Sequence, residues 1–112
     1  MITIYHNPRC SKSRTALELV QQFSKENAIE LNIIEYLKTP LNLNELRLLQ
    51  TQLGEQSREM VREYTDLNPE QQCEMLLAQP ELLQRPIVSY QGRAVVGRPV
   101  DSISLLFRND FL

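Results

Sequence analysis

Among the residues able to do chemistry, Cys10 has the setting of a nucleophile. Arg9, Ser11, Lys12, Ser13 and Arg14 surround it with polar and basic groups. Such an electropositive, accessible environment lowers a thiol pKa from about 8.5 toward roughly 3.5–7.5. A helix pattern begins directly behind the cysteine. The free first-turn amides and the aligned peptide dipoles of a helix place partial positive charge at its start, which favours a thiolate and an oxyanion. A buried, inert thiol is the usual state of an unpaired cysteine, but the charged flanks of Cys10 argue against burial. His6, four residues earlier, is placed to tune the thiolate as a hydrogen-bond partner or as a cation, although a lone histidine is more often structural. Ser11 or Ser13 is expected to cap the helix.

Arginine outnumbers lysine nine to three, and a guanidinium makes planar, bidentate contacts to oxyanions that an ammonium does not. Most of the nine read as solvated surface. Arg85 and Arg98 differ, because each precedes a proline and is held extended, so its side chain leaves in a defined direction. Arg62 lies one helical turn after Arg58; the two share a face, and Arg58, among Glu55, Glu59 and Glu63, reads as surface. Arg14 has a bland reading as a weak surface pair with Glu18. The Cys10-x3-Arg14 spacing is not the C-x5-R of a cysteine-phosphatase loop and lowers that reading. Cys73 lies at helical spacing near Met75, Leu76 and Leu77 and reads as packing. Two cysteines 63 positions apart and one histidine supply neither a disulfide scaffold nor a His/Cys metal cluster.

The elements that must hold these groups follow from periodicity. Ile2–Tyr5 reads as a strand and Asn7–Arg9 as a turn. Residues 11 to about 26 form a helix whose apolar face is Ala16, Leu17, Val20 and Phe23. Residues 30–36 form a second strand, giving a βαβ unit. Beyond Pro40, Asn42 and Glu45 form a capping box, Leu46, Leu49 and Leu53 continue one face, and Gly54 ends it. Ser57–Tyr64 looks like a short helix with Met60 and Val61 inward. Asn68-Pro69 opens another, and a final turn follows at Pro80. Residues 85–90 and 93–97 form a hairpin around Gln91-Gly92. A last helix carries Val100, Ile103, Leu106 and Phe107 on one face. The order β-α-β, a helical insertion over 40–84, then β-β-α describes a thioredoxin-like α/β fold with a four-stranded mixed sheet. In that sheet the third strand runs antiparallel beside the first. Its start then meets the end of the first, bringing Arg85 near Cys10 and making Pro86 a candidate cis proline.

At 112 residues the chain reads as a single domain with room for a real core. A net charge of −2 gives no electrostatic case for nucleic acid as the main partner. No apolar run approaches the roughly 18 residues of a membrane span, and no signal-peptide pattern opens the chain. A reducing, cytoplasmic location is the simplest expectation.

The run from Ile4 to Arg14, with Tyr36-Leu-Lys-Thr-Pro40, Arg85-Pro-Ile-Val88 and Gly97-Arg-Pro99 in order, resembles the glutaredoxin-coupled arsenate reductase family across essentially the whole chain. The resemblance implies a thioredoxin-like fold with a helical insertion and Cys10 as the nucleophile. It implies Arg62, Arg85 and Arg98 as the oxyanion-binding trio, Arg62 being aligned by its distance from Gly54. It implies that His6 helps lower the cysteine pKa, with Ser13 and Arg14 as possible contributors from the loop. The partners implied are arsenate, glutathione as co-substrate and glutaredoxin, with no bound metal or organic cofactor. Ser11-Lys12-Ser13 replaces the Gly-Thr-Ser run of the best-known members, and the chain stops a few residues after its last helix; both features resemble a shorter subfamily. Ser13 also stands where the related Spx-type regulators, which bind RNA polymerase, carry the second cysteine of Cys-x-x-Cys. With no resolving thiol nearby, an external thiol is required. A Spx-like regulator and a general thiol–disulfide or glutathione-linked reductase are the alternative functions.

Overall fold

Ile2 and Ile4 point to one side of a sheet and Tyr5 to the other, as strand alternation requires. In the computed structural model, which describes residues 1–111 and the side chains of residues 1–107, β1 (Ile2–His6) is a central strand. It is followed by α1 (Ser11–Asn27), β2 (Leu31–Glu35), α2 (Leu43–Leu53), a 3-10 segment (Gly54–Glu59), α3 (Pro69–Ala78), a short 3-10 turn (Pro80–Leu82), β3 (Ile87–Tyr90), β4 (Arg93–Val96) and a terminal 3-10 helix (Val100–Phe111). The sheet order is β2-β1-β3-β4. β1 runs parallel to β2 and antiparallel to β3, and β4 pairs antiparallel with β3. This is the thioredoxin-like arrangement anticipated from the element order.

The sheet separates two apolar clusters. On one face Ile2, Ile4, Val88 and Tyr90 pack against Ala16 and Val20 of α1 and against Ile103, Leu106 and Phe107 of the terminal helix. Phe23 stacks on Phe107 at a ring separation of 3.7 Å, and Tyr90 meets both rings edge-on. On the other face Tyr5, Ile87, Ala94 and Val96 pack against Tyr36, Leu46, Leu49, Leu53, Met60 and Leu76, mostly from the helical segments between β2 and β3. Cys73 is buried in this second cluster, as its helical spacing suggested.

Local signals set most boundaries. Asn42 and Asn68 each accept the amide of the residue three positions on, and Glu45 and Gln71 return the bond, so both helices open on complete capping boxes. Gln91 and Gly92 both have positive φ, 51° and 79°, the backbone of a two-residue type I′ hairpin.

Three expectations are corrected. Neither Ser11 nor Ser13 caps α1; Cys10 itself is the N-cap residue, in extended geometry. Ser57–Tyr64 is not a helix. The 3-10 segment ends at Glu59, and Val61 forms an antiparallel bridge with Leu83. Met60 and Val61 are both buried as expected, Met60 still in helical geometry at the end of the 3-10 segment and Val61 in the bridge. The terminal helix is 3-10: Val100, Ile103 and Leu106 recur every third residue, the period of that helix.

Candidate active site

The turn between β1 and α1 is held by its own side chains. The Asn7 carboxamide oxygen accepts the Arg9 amide at 3.0 Å, and the Asn7 carbonyl accepts the Cys10 amide at 3.0 Å. Ser13 is fully buried, and its hydroxyl accepts the Asn7 amide at 3.0 Å. The Cys10 carbonyl accepts the Arg14 amide and starts the helix. These bonds leave Cys10 half-buried at the N-terminus of α1.

Burial alone pushes the Cys10 thiol up. The amides of Ser13 and Lys12 and the guanidinium of Arg85 outweigh it, and the net displacement is downward. Arg98 adds a contact, its Nη2 donating toward Cys10 Sγ at 3.7 Å. Cys73 differs: burial pushes its thiol up, and Sγ lies 3.6 Å from Gln50 Oε1. One cysteine is prepared as a thiolate and the other is packed as a thiol.

Arg85 and Arg98 converge because their backbones are laced together. Arg98 Nε donates to the Arg85 carbonyl at 2.7 Å, and the Gly97 amide donates to the Pro86 carbonyl at 2.8 Å. The Arg85–Pro86 bond is cis, and so is Arg98–Pro99, which the sequence did not suggest. Gly97 is required for the close approach: a Cβ there would lie 2.8 Å from Pro86 Cγ. Arg62 arrives by the bridge that sequence periodicity missed. Its amide donates to the Leu82 carbonyl, and the Gln84 amide donates to the Met60 carbonyl, both at 2.8 Å. This short ladder ties the segment bearing Arg62 to the one leading into Arg85. The signal that could have located it is the pairing of two apolar residues, Val61 and Leu83, inside polar stretches. Arg58 is exposed.

His6 does not make its contact with the sulfur. Its Nδ1 lies 2.7 Å from Ser13 Oγ. Burial pushes its pKa down and Arg14 adds to that, against the opposing effects of Glu35 and of the Ser13 contact, so the imidazole is neutral at neutral pH. It therefore supports the turn whose Ser13 amide faces Cys10, rather than pairing with the thiolate as a cation. Arg14 is exposed and donates to the Pro8 carbonyl at 3.0 Å, bracing the loop instead of bonding Glu18. Two buried polar atoms have no hydrogen-bond partner among the described residues, Arg85 Nε and the Tyr36 hydroxyl. Tyr36, one residue beyond β2, feels the charges of Arg85, Cys10 and Arg62.

The sequence model of the ArsC family matches residues 5–106, which spans the end of β1, the turn, the other three strands and every arginine just described. The chain belongs to the ArsC family. It is 43% identical to an arsenate reductase of Neisseria meningitidis serogroup A, over 91% of this chain and 94% of that one. It is 39% identical to the uncharacterized protein YfgD of Escherichia coli K12, over 91% and 92%. Among solved structures, an arsenate reductase from Vibrio cholerae superimposes with a TM-score of 0.79 at 32% identity, covering 94% of this chain and 96% of that one.

Proposed function

We propose that this ArsC-family chain is an arsenate reductase whose nucleophile is Cys10. The observation that carries the reading is the sulfur itself: a half-buried thiol at a helix N-cap, with its pKa lowered, Arg85 beside it and Arg98 Nη2 at 3.7 Å. An oxyanion substrate needs a nucleophile and positive charge at one point, and both are found here.

In the proposed reaction the Cys10 thiolate attacks arsenic(V), and an arsenate oxygen leaves as water after protonation. Arg62, Arg85 and Arg98 bind the remaining oxygens and stabilise their charge. With serine at position 13, no second cysteine stands ready within the motif. Glutathione therefore supplies the next sulfur, adding to the bound arsenic as a second water leaves. A glutaredoxin thiolate then attacks the glutathione sulfur. The new disulfide keeps one electron pair fewer than the two thiols, that pair reduces arsenic(V) to arsenic(III), and water releases arsenite from Cys10. The balance is two thiols and arsenate in, one disulfide, arsenite and water out.

The test is arsenite formation by the purified chain with glutathione and glutaredoxin, beside Cys10→Ser. Arsenite is expected from the unaltered chain alone, and only with both thiol partners present. Equal rates for the two proteins, or none from either, would overturn the proposal.

A further inference from the structure

We propose that Tyr36 is a fourth ligand of the oxyanion, its hydroxyl donating a hydrogen bond to an arsenate oxygen alongside the three arginines. The inference rests on the arsenate reading above.

Position comes first. β2 is parallel to β1, with Glu35 in register with His6. Tyr36 therefore leaves the sheet at the same carboxyl edge, and at the same level, as the turn that carries Cys10. The other two strands deliver their arginines to this edge: Arg85 precedes β3, and Arg98 follows β4.

The second observation is the hydroxyl. Tyr36 is 1% exposed, and its ring packs in the cluster containing Leu41, Leu83 and Ile87. A phenylalanine would fill that space as well. The hydroxyl, however, is buried without a hydrogen-bond partner among the described residues. Leaving such a group unpaired is costly, and a buried tyrosine usually finds a partner for its O–H. Arg85 Nε, the other unpartnered buried atom, is also a donor. A tetrahedral oxyanion offers acceptors to both at once.

The third is the electrostatic setting. Burial pushes the Tyr36 pKa up, so the hydroxyl keeps its proton at neutral pH and can donate. The positive charges of Arg85 and Arg62 and the charge of Cys10 all act on it. The Asn7 side chain also favours the phenolate but lies outside hydrogen-bond geometry.

The experiment compares the full chain with Tyr36→Phe, which removes only the hydroxyl. The readout is the arsenate concentration that half-protects Cys10 from iodoacetamide. Losing one hydrogen bond to a charged group should raise it roughly 10- to 100-fold. If the unaltered chain is protected and Tyr36→Phe is protected equally, the Tyr36 inference is overturned and the oxyanion reading stands. If arsenate does not protect the unaltered chain, the oxyanion reading falls and takes the inference with it. Should Tyr36→Phe not fold, the unaltered chain labelled with 13C at tyrosine Cζ gives the answer. Its four tyrosines yield four signals, assigned with Tyr5→Phe, Tyr64→Phe and Tyr90→Phe. The Tyr36 signal should move on titration with arsenate, and a static signal overturns the inference.

Discussion

At the scale of single residues, the site separates groups that look alike in the sequence. Two cysteines differ because one lies at a helix start beside Arg85 and the other in apolar packing, with shifts of opposite sign. The proposed function uses Arg85 as a fork and not merely as a charge, so Arg85→Lys should weaken arsenate binding by about 1.5–3 kcal/mol although the charge is kept. Isothermal titration with arsenate checks this, and an unchanged dissociation constant would remove Arg85 from the ligand set. His6 allows a pH prediction. Its folded pKa is lowered, so at mildly acidic pH the unfolded chain binds the extra proton. The stability contributed by the neutral imidazole is full above about pH 6.5 and is lost as pH falls through the depressed folded value. The Cys10 thiolate has the same sign, so urea unfolding should be followed in Cys10→Ser with and without His6→Gln. The stability slope just below about pH 6.5, above the range where the fourteen carboxylates titrate, should shrink with the loss of the histidine, the only one in the chain. A slope that persists unchanged in His6→Gln would contradict this account of the buried imidazole.

At the scale of elements, what could be read from the sequence was what depends on local pattern. The amphipathic face of α1, the capping boxes at Asn42 and Asn68 and the Gln91-Gly92 hairpin follow from neighbours a few residues apart. The Val61–Leu83 bridge escaped because its partners lie far apart in the chain and each strand is a single residue, too short to show alternation. The serine cap also failed for a reason of packing: Ser13 turns inward to Asn7 and His6 and has no hydroxyl left for the helix start. Gly97 tests how the β4 exit positions Arg98. A methyl group there meets Pro86 Cγ at 2.8 Å and Ile103 Cδ1 at 3.0 Å, a proline ring and a fully buried side chain. Gly97→Ala should cost about 1–3 kcal/mol of stability. It should also displace Arg98 and weaken arsenate protection of Cys10. Full stability with full protection would show that the close approach is not needed.

At the scale of the whole molecule, the fold brings Arg85 and Arg98, distant from Cys10 in the chain, to its edge of the sheet. Arg62 lies within the helical insertion, Arg85 at the entry to β3 and Arg98 at the exit from β4. The antiparallel pairing of β3 with β1 places Tyr5 opposite Ile87, so the entry to β3 meets the turn after β1. The approach of Arg85 to the Cys10 turn was legible in outline, because the element order implies it; the lacing of Arg98 to the Arg85 carbonyl was not, since no local pattern encodes a contact thirteen residues away. Tyr36 stayed hidden for a related reason. Its place at the end of the second strand could be read from the sequence, but the burial of its hydroxyl without a partner among the described residues could not. The proposed function rests on a Cys10 thiol whose pKa is lowered, and titration of that thiol is the direct measurement. The rate of iodoacetamide labelling at Cys10, followed against pH with Cys73→Ser to remove the second thiol, should show a midpoint clearly below the usual 8.5 or so. A midpoint at or above that value would contradict the account.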